Sequence, residues 1–452
     1  MKIAAALADF IVKASPQDLP LPVMETTKDR ILDLLGVALT GYKLGEHKHI
    51  FNVLGKGGKR ESTIIGEAVQ APCNVATLIN SSMANIFLTD GARMGGVHPA
   101  AAVIPSAMAM AERESNKGEE LILAVVLGYE AMIRVAAAMQ PACVRRGFHP
   151  TSVTSSIGSV VAAGKLLRLT QVEMAHALSV AAALSAGFMA GFKAGDYLAE
   201  FQTARGAEAG VLAALLAQNG FKGHEEFFEE AYFRGYADKY SLDLVTEGLG
   251  NQFAISRTYI KRFWACGHLL PPIDATLALI EKYGIRAADV AEVNVYTYSV
   301  ALETEIHNAR TGKDAGFSAP FIISMLLLEG GILPETFRDE KVNDGRVQEL
   351  MKKVHTQEDP ESDKNYPQKR VVTVEILTRD GRVLSQKVEG FRGEPESPLT
   401  REEIKGKFIS LTSNVIGRPK VQQIINFIEG LERKKSVQKL GALLGSKKKE
   451  RK

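Results

Sequence analysis

Two rhythms of apolar and polar residues divide the chain. Up to about residue 265, apolar positions recur at helical spacing and Ala, Gly and Ser fill many of the rest. GEELILAVVLGYEAMIRVAAAM (118–139) is long enough for a helix of about six turns. TQVEMAHALSVAAALSAG (170–187) opens with Thr170 and Glu173 spaced as a capping box, which predicts a helix running on to Gly187. The N-terminal MKIAAALADFIVKAS carries Asp9 inside its apolar run and reads as an amphipathic first helix, not an export signal. So many small residues predict helices whose backbones come close together. A helical bundle follows.

After about residue 270 the period shortens. VAEVNVYTYSV (290–300) alternates and is β-branched, as a half-buried strand should be. RVVTVEIL and VLSQKVEGF flank TRDGR (378–382), where Asp380-Gly381 predicts a tight hairpin turn. SPLTREEIKGKFISLT then returns to helix, with Thr400 and Glu403 again in capping-box spacing. The fold class expected is mainly α with an α+β second domain: residues 1–268 and 396–452 helical, residues 269–395 α+β. No internal repeat is visible.

Composition narrows the classes of function. The hydrophobic content of 46% and charged content of 24% describe an ordinary globular chain with ample core. The net charge is only +3, and much of the excess lies in the tail GSKKKERK (445–452), which reads as a solvated end. Neither nucleic acid nor a membrane is an expected partner, and no uninterrupted apolar run approaches the ~20 residues that span a bilayer. Cys73, Cys143 and Cys266 form no C-x-x-C pair. That argues against a disulfide framework, a zinc site and an iron–sulfur cluster, and it fits a reducing cytoplasm.

Four segments depart from plain scaffold. GARMGGVHPAAAVIP (91–105) sets His98 after three glycines and before Pro99, with Asp90 and Arg93 close by in sequence. Proline suits the first turn of a helix, so His98 would stand beside backbone N–H groups that favour an anion such as a substrate carboxylate. RRGFHPTSVTSSIGSVVAAGKLL (145–167) repeats the arrangement at His149-Pro150. FKAGDYLAEFQTARGAEAGVLAALLA (192–217) offers Lys193 and Arg205 at the borders of an apolar helix. YIKRFWACGHLLPPIDATLAL (259–279) gathers Lys261, Arg262, Cys266 and His268 at the expected domain junction, where clefts tend to hold ligands. Each has a structural alternative: the histidines as helix caps, Arg205 paired with Glu208, Cys266 as a buried thiol.

Together these segments provide imidazoles for proton transfer and cations for oxyanions, without a phosphate loop, dinucleotide fingerprint or nucleophile elbow. The set suits abstraction of a proton next to a carboxylate, where the developing negative charge needs fixed positive charge or donors.

The order of HPAAAVIPSAMAMAE, GFHPTSVTSSIGSVVAAGKLL, ARGAEAGVLAALLAQNGF and KRFWACGHLLPPIDATLAL resembles the MmgE/PrpD family over nearly the whole chain. That family includes 2-methylcitrate dehydratases, cis-aconitate decarboxylases and an iminodisuccinate epimerase. The resemblance implies a large helical domain completed by the C-terminus, a smaller α+β lid, a homodimer, and metal-free, cofactor-free chemistry on small di- or tricarboxylates. It puts His98, His149 and Lys261 on active-site positions and matches Arg205 and His268. The catalytic residues expected are His98, His149 and Lys261. Asp90, Arg205 and His268, with the cations Arg93 and Lys193 read from the segments themselves, are expected at the substrate. The chain also departs from the family pattern. NIFLTDGA (85–92) keeps Asp90 but has Asn85 and Leu88 where His and Asp are usual, Ala199 replaces a lysine, and Phe321 stands where some members have Tyr. The expected function is a hydro-lyase on a related carboxylic acid. An epimerase of a similar acid and an inactive carboxylate binder are the alternatives.

Overall fold

The apolar run at 118–139 forms one continuous helix, and the helices around it meet through small side chains. The structure, a computed structural model, describes residues 2–85, 87–193 and 198–445, and omits the side chains of Phe192 and Lys193. The expected substrate residue Lys193 therefore lies outside what is described. Two compact units are present, Met1–Ile260 with Thr400–Lys452, and Lys261–Leu399.

The principal helices of the first unit are α1 (Ile3–Lys13), α2 (Leu21–Leu44), α3 (Cys73–Ala84), α4 (Ala100–Glu114), α5 (Gly118–Met139), α6 (Pro150–Leu166), α7 (Gln171–Ala183) and α8 (Leu198–Gln218). The serine-rich face of α6 packs on glycines of α8. A Cβ on Gly206 would stand 2.8 Å from Ser155 Cβ, and one on Gly210 2.5 Å from the Ser156 carbonyl oxygen. Only a residue without a side chain fits there.

Polar groups stranded by the helices find partners at a distance. Pro105, inside α4, has no N–H to give the Ala101 carbonyl, and Ser81 Oγ of α3 donates to that oxygen at 2.6 Å. Lys165 Nζ donates to the carbonyls of Ile11, Val12 and Ala14 at 2.8, 3.0 and 2.7 Å, closing the C-terminal end of α1.

Helix α5 is long and apolar enough to cross a membrane, although Glu130 and Arg134 interrupt its apolar run. Its most apolar stretch is 94% buried inside the fold, the setting of a core helix. Its buried Glu130 and Arg134 pair at 2.5 Å. A short antiparallel pair, β1 (Gly91–Ala92) with β2 (Thr258–Tyr259), ties the loop before α4 to the end of this part of the chain.

In the second unit β3 (Val290–Thr297), β4 (Val354–Glu358), β5 (Val372–Thr378) and β6 (Val383–Val388) form one sheet in the order β4-β3-β5-β6. The hairpin of β5 and β6 turns at Gly381, whose φ of +87° is one that favours glycine. Strand β4 runs parallel to β3 at the edge. Helices α9 (Leu270–Tyr283) and α10 (Ala319–Glu329) cover the sheet, α9 on β5 and β6, α10 on β4.

The chain then returns to the first unit through α11 (Arg401–Ile416) and α12 (Arg418–Glu429). Thr400 and Glu403 make the capping box, and Phe408 packs against Gly36 of α2. The seams fall after Ile260 and before Thr400, not after residue 268 and before 396. Thr258 and Tyr259 are held by β1, whereas the Cys266 N–H already bonds Gly316 O of the second unit. Lys261 and His268 thus belong with the sheet.

Candidate active-site residues

The N-terminus of α4 already holds an anion. Asp90 Oδ1 accepts the Ala100 N–H at 3.0 Å and Oδ2 accepts the Tyr129 hydroxyl at 2.9 Å. Asp90 is buried, and burial pushes its carboxyl up to about 6 against the opposing pull of Arg30 and these two hydrogen bonds. The carboxylate expected from a substrate at this helix end is therefore supplied by the protein itself.

The backbone carbonyl of Asp90 also accepts a short hydrogen bond, from His98 Nδ1. A carbonyl only accepts, so Nδ1 carries the proton and Nε2 is the basic nitrogen of a partly exposed ring. Arg93 sits in the same loop, half-buried. Gly95, at φ +85°, lets the loop lie against α5: a Cβ there would stand 2.9 Å from Ala136 Cβ.

Groups that sequence reasoning missed hold this loop in place. Arg30 of α2 donates through Nε to Thr258 Oγ1 and through Nη2 to Thr258 O, both at 2.8 Å, fixing the strand that pairs with Gly91–Ala92. Lys407 of α11 pairs with the buried Asp33 of α2 at 2.7 Å and donates to the Leu88 carbonyl at 3.5 Å. The available signal was the presence of Arg30, Asp33 and Tyr129 inside otherwise apolar helices, since buried charges and hydroxyls need partners.

His149 occupies the N-cap position of α6 without a side-chain capping bond, and Pro150 stands at the first helical position. Helix α7 stops at Ala183 instead of reaching Gly187, and the released segment brings the Gly187 carbonyl to the His149 N–H at 3.1 Å. The ring is 5% exposed, with Nδ1 2.7 Å from Ser152 Oγ, which lies 3.1 Å from Thr203 Oγ1 of α8. Burial pushes its pKa down to about 4, so it is neutral at pH 7. The His98 N–H donates to Thr151 Oγ1 at 3.2 Å, so the two His-Pro helix starts are neighbours.

Other positions fall nearby. Asn85 Nδ2 donates to the Ala199 carbonyl at 3.3 Å, so two departures from the family pattern touch each other. The third, Leu88, is buried at 2% exposure. Arg205 ion-pairs with Glu208 one turn along α8, and Glu208 also accepts from Asn74 Nδ2 at 3.2 Å.

In the second unit Lys261 is 3% exposed, and His268 Nδ1 lies 2.8 Å from the Tyr298 hydroxyl. Burial, and then the charges of Arg370 and Lys261, push the His268 pKa down to about 3. Phe321 is fully buried against Phe337, with ring centroids 5.6 Å apart. Cys266 is a free thiol at intermediate exposure. Among the described residues, no three His, Cys, Asp or Glu side chains gather as a metal site. A cavity of about 1300 Å³ opens between α1 and residues 243–253, and none of the candidate residues lines it.

Comparison with known proteins shows the family. The model of the MmgE/PrpD N-terminal domain matches residues 5–244, and that of the MmgE/PrpD C-terminal domain residues 263–433. The cis-aconitate decarboxylase of Homo sapiens is 26% identical over 436 residues, covering 91% of this chain and 88% of that protein. The cis-aconitate decarboxylase-like protein oryM of Aspergillus oryzae is 25% identical over 472 residues, covering 98% and 97%. The cis-aconitate decarboxylase of Aspergillus terreus is 24% identical over 470 residues, covering 98% and 96%.

Proposed function

The chain belongs to the MmgE/PrpD family, and on that premise we propose that it is a lyase acting on a small di- or tricarboxylate. The observation that carries this reading is the meeting of the two His-Pro helix starts, where the His98 N–H at the start of α4 donates to Thr151 Oγ1, two residues after His149 at the start of α6. His98, with Nδ1 committed to the Asp90 carbonyl, offers Nε2 to a proton next to a substrate carboxylate. His149, neutral in the unliganded protein, exchanges the second proton. The arriving carboxylates raise the proton affinity of the His149 ring, which then takes up the proton that it gives.

Lys261 receives a carboxylate, with Arg93, Arg205 and His268 as further substrate contacts. Asp90 acts behind His98, not on the substrate. In the hydro-lyase reaction one histidine takes the C–H proton and the other gives a proton to the departing hydroxide. A second reading, decarboxylation, is favoured by the names of the relatives. The same groups would then protonate the carbanion that carbon dioxide leaves behind. We also propose a homodimer working in a reducing cytoplasm, without a metal or other cofactor.

The test is incubation of the purified protein with cis-aconitate, 2-methylcitrate and related di- and tricarboxylates in D2O, followed by proton NMR with carbon dioxide measured in parallel. Loss of water with deuterium exchange supports the hydro-lyase, and carbon dioxide release supports the decarboxylase. Exchange with inversion alone would make the protein an epimerase, and ligand-induced stabilisation without exchange would make it a binder. Activity is expected to survive prolonged chelation. In Lys261→Met, KM should rise by about 30-fold or more, since removing one partner of a buried charge pair costs about 2–5 kcal/mol.

A further inference from the structure

Arg370 enters no part of the chemistry above, yet it is a buried cation of the second unit held by several groups. Its side chain is 7% exposed and lies 3.7 Å from the carboxylate of Glu394, itself 3% exposed. Its guanidinium carbon stands 5.6 Å from the centre of the Phe391 ring. Glu394 in turn accepts the Phe391 N–H at 3.4 Å, so the segment that holds the guanidinium is closed on itself. From this seat Nη1 donates to the Gly267 carbonyl at 3.3 Å, the residue immediately before His268.

We propose that Arg370 is a positioning residue for His268: tethered by Glu394, it fixes the Gly267–His268 turn and aims the imidazole at Tyr298. A planar, permanently charged guanidinium suits this task because its charge is held by the carboxylate while an N–H donates to the carbonyl. The far side of the ring is equally confined. Tyr298, bonded to Nδ1, stacks on Tyr366 with ring centroids 4.5 Å apart, and the Tyr366 ring lies 6.1 Å from the imidazole. The charged and titratable groups around His268 are thus Arg370, Lys261, Tyr298, Tyr366 and, behind Arg370, Glu394. Desolvation, with two cations beside the imidazole, keeps it neutral, so it meets an incoming carboxylate as a hydrogen-bonding group and Lys261 supplies the charge.

The inference rests on reading His268 as a substrate contact, but its test does not need turnover. The imidazole 15N shifts of His268 would be recorded in the full-length protein from pH 5 to 8, in the wild type, Arg370→Gln, Arg370→Lys and His268→Gln, the last to assign the signal. The wild-type ring should show one neutral tautomer throughout. Arg370→Gln should average the tautomers and raise the protonated fraction at pH 5, where the wild-type ring stays neutral. Arg370→Lys, which keeps charge but loses the two-way tether, should average the tautomers with a smaller rise. If Arg370→Gln does not fold, Glu394→Gln leaves the guanidinium in place without its brace and should also average the tautomers. A His268 signal in the folded variants indistinguishable from wild type would overturn the inference.

With a substrate in hand, Arg370→Gln should lower kcat/KM about tenfold in the wild type and have no further effect in His268→Gln. Equal losses in both backgrounds would overturn the positioning role. A silent His268→Gln would remove the reading on which it rests.

Discussion

The two units keep their histidines neutral by different means. In the helical unit His149 is surrounded by hydroxyls and backbone, and burial alone lowers its proton affinity. In the smaller unit His268 is half-buried, and Arg370 and Lys261 add their repulsion to its desolvation. An imidazole lowered by burial alone responds strongly to any negative charge brought near it. One flanked by cations shares that charge with them. The first suits a group that must gain and lose a proton, and the second a group that must only hold.

The sharpest way to break this comparison is to remove the proton carriers. His149→Gln and His98→Asn are each expected to lower kcat by about 10²–10⁴, the usual contribution of a positioned acid or base. His268→Gln should act mainly on KM. Steady-state kinetics on the three variants decides the matter, and a kcat loss in His268→Gln as large as in His149→Gln would erase the distinction.

Stability against pH offers a second contrast, inside the helical unit. His149 protonates near 6.5 when unfolded but only near 4 when folded, so the unfolded chain binds more protons between those values. Its contribution is lost as the pH falls through that window. Asp90 works in the opposite sense. Its carboxyl titrates near 3.8 unfolded and about 6 folded, so the folded chain holds the extra proton and stability falls as the pH rises from 3.8 to 6. Each amounts to about 3 kcal/mol at most. The two slopes oppose each other in the wild type. Urea denaturation at several pH values should show His149→Gln flattening the acid side and Asp90→Asn steepening it. Parallel profiles in all three proteins would show that neither group titrates as its surroundings dictate.

Smaller in effect, and a control for both, is Lys165. Lys165→Met leaves the carbonyls of Ile11, Val12 and Ala14 without their charged donor and should cost about 1–3 kcal/mol in stability. It touches none of the candidate residues, so kcat and KM should hold. A fall in kcat matching that of His149→Gln would mean that destabilisation alone lowers turnover.

Much of this arrangement is legible where a local rule governs. The helix at 118–139, the capping boxes at Thr170 and Thr400, and the turn at Gly381 each follow from residues a few positions apart. Strand β4, VHTQE, carries no apolar alternation, because as an edge strand it is supported by its parallel neighbour β3 and exposes most of its length. The histidines stand out in sequence because each precedes a proline or a run of small residues. What holds them does not. Tyr129 meets Asp90 across 39 positions and Lys407 meets Leu88 across 319, and no periodicity encodes such pairings. The role of Asp90 differs for the same reason, since its carboxylate closes a helix that begins ten residues on.

The smallest effect expected is at Arg205, and it bears on whether the helical unit adds a cation of its own to the substrate. Its side chain is 51% exposed and paired with Glu208 on the same helix face. Exposed pairs at this spacing contribute only about 0.3–0.5 kcal/mol. Arg205→Ala should therefore leave the thermal midpoint within about 2 °C of wild type, whatever its role in binding. If the guanidinium turns from Glu208 to a substrate carboxylate, KM rises several-fold while kcat stays the same, the mark of lost uniform binding. Glu208→Gln, which frees the arginine, should lower KM in that case. Unchanged KM in both variants would leave Arg205 as a surface pair and assign carboxylate binding to Lys261 and its neighbours in the smaller unit.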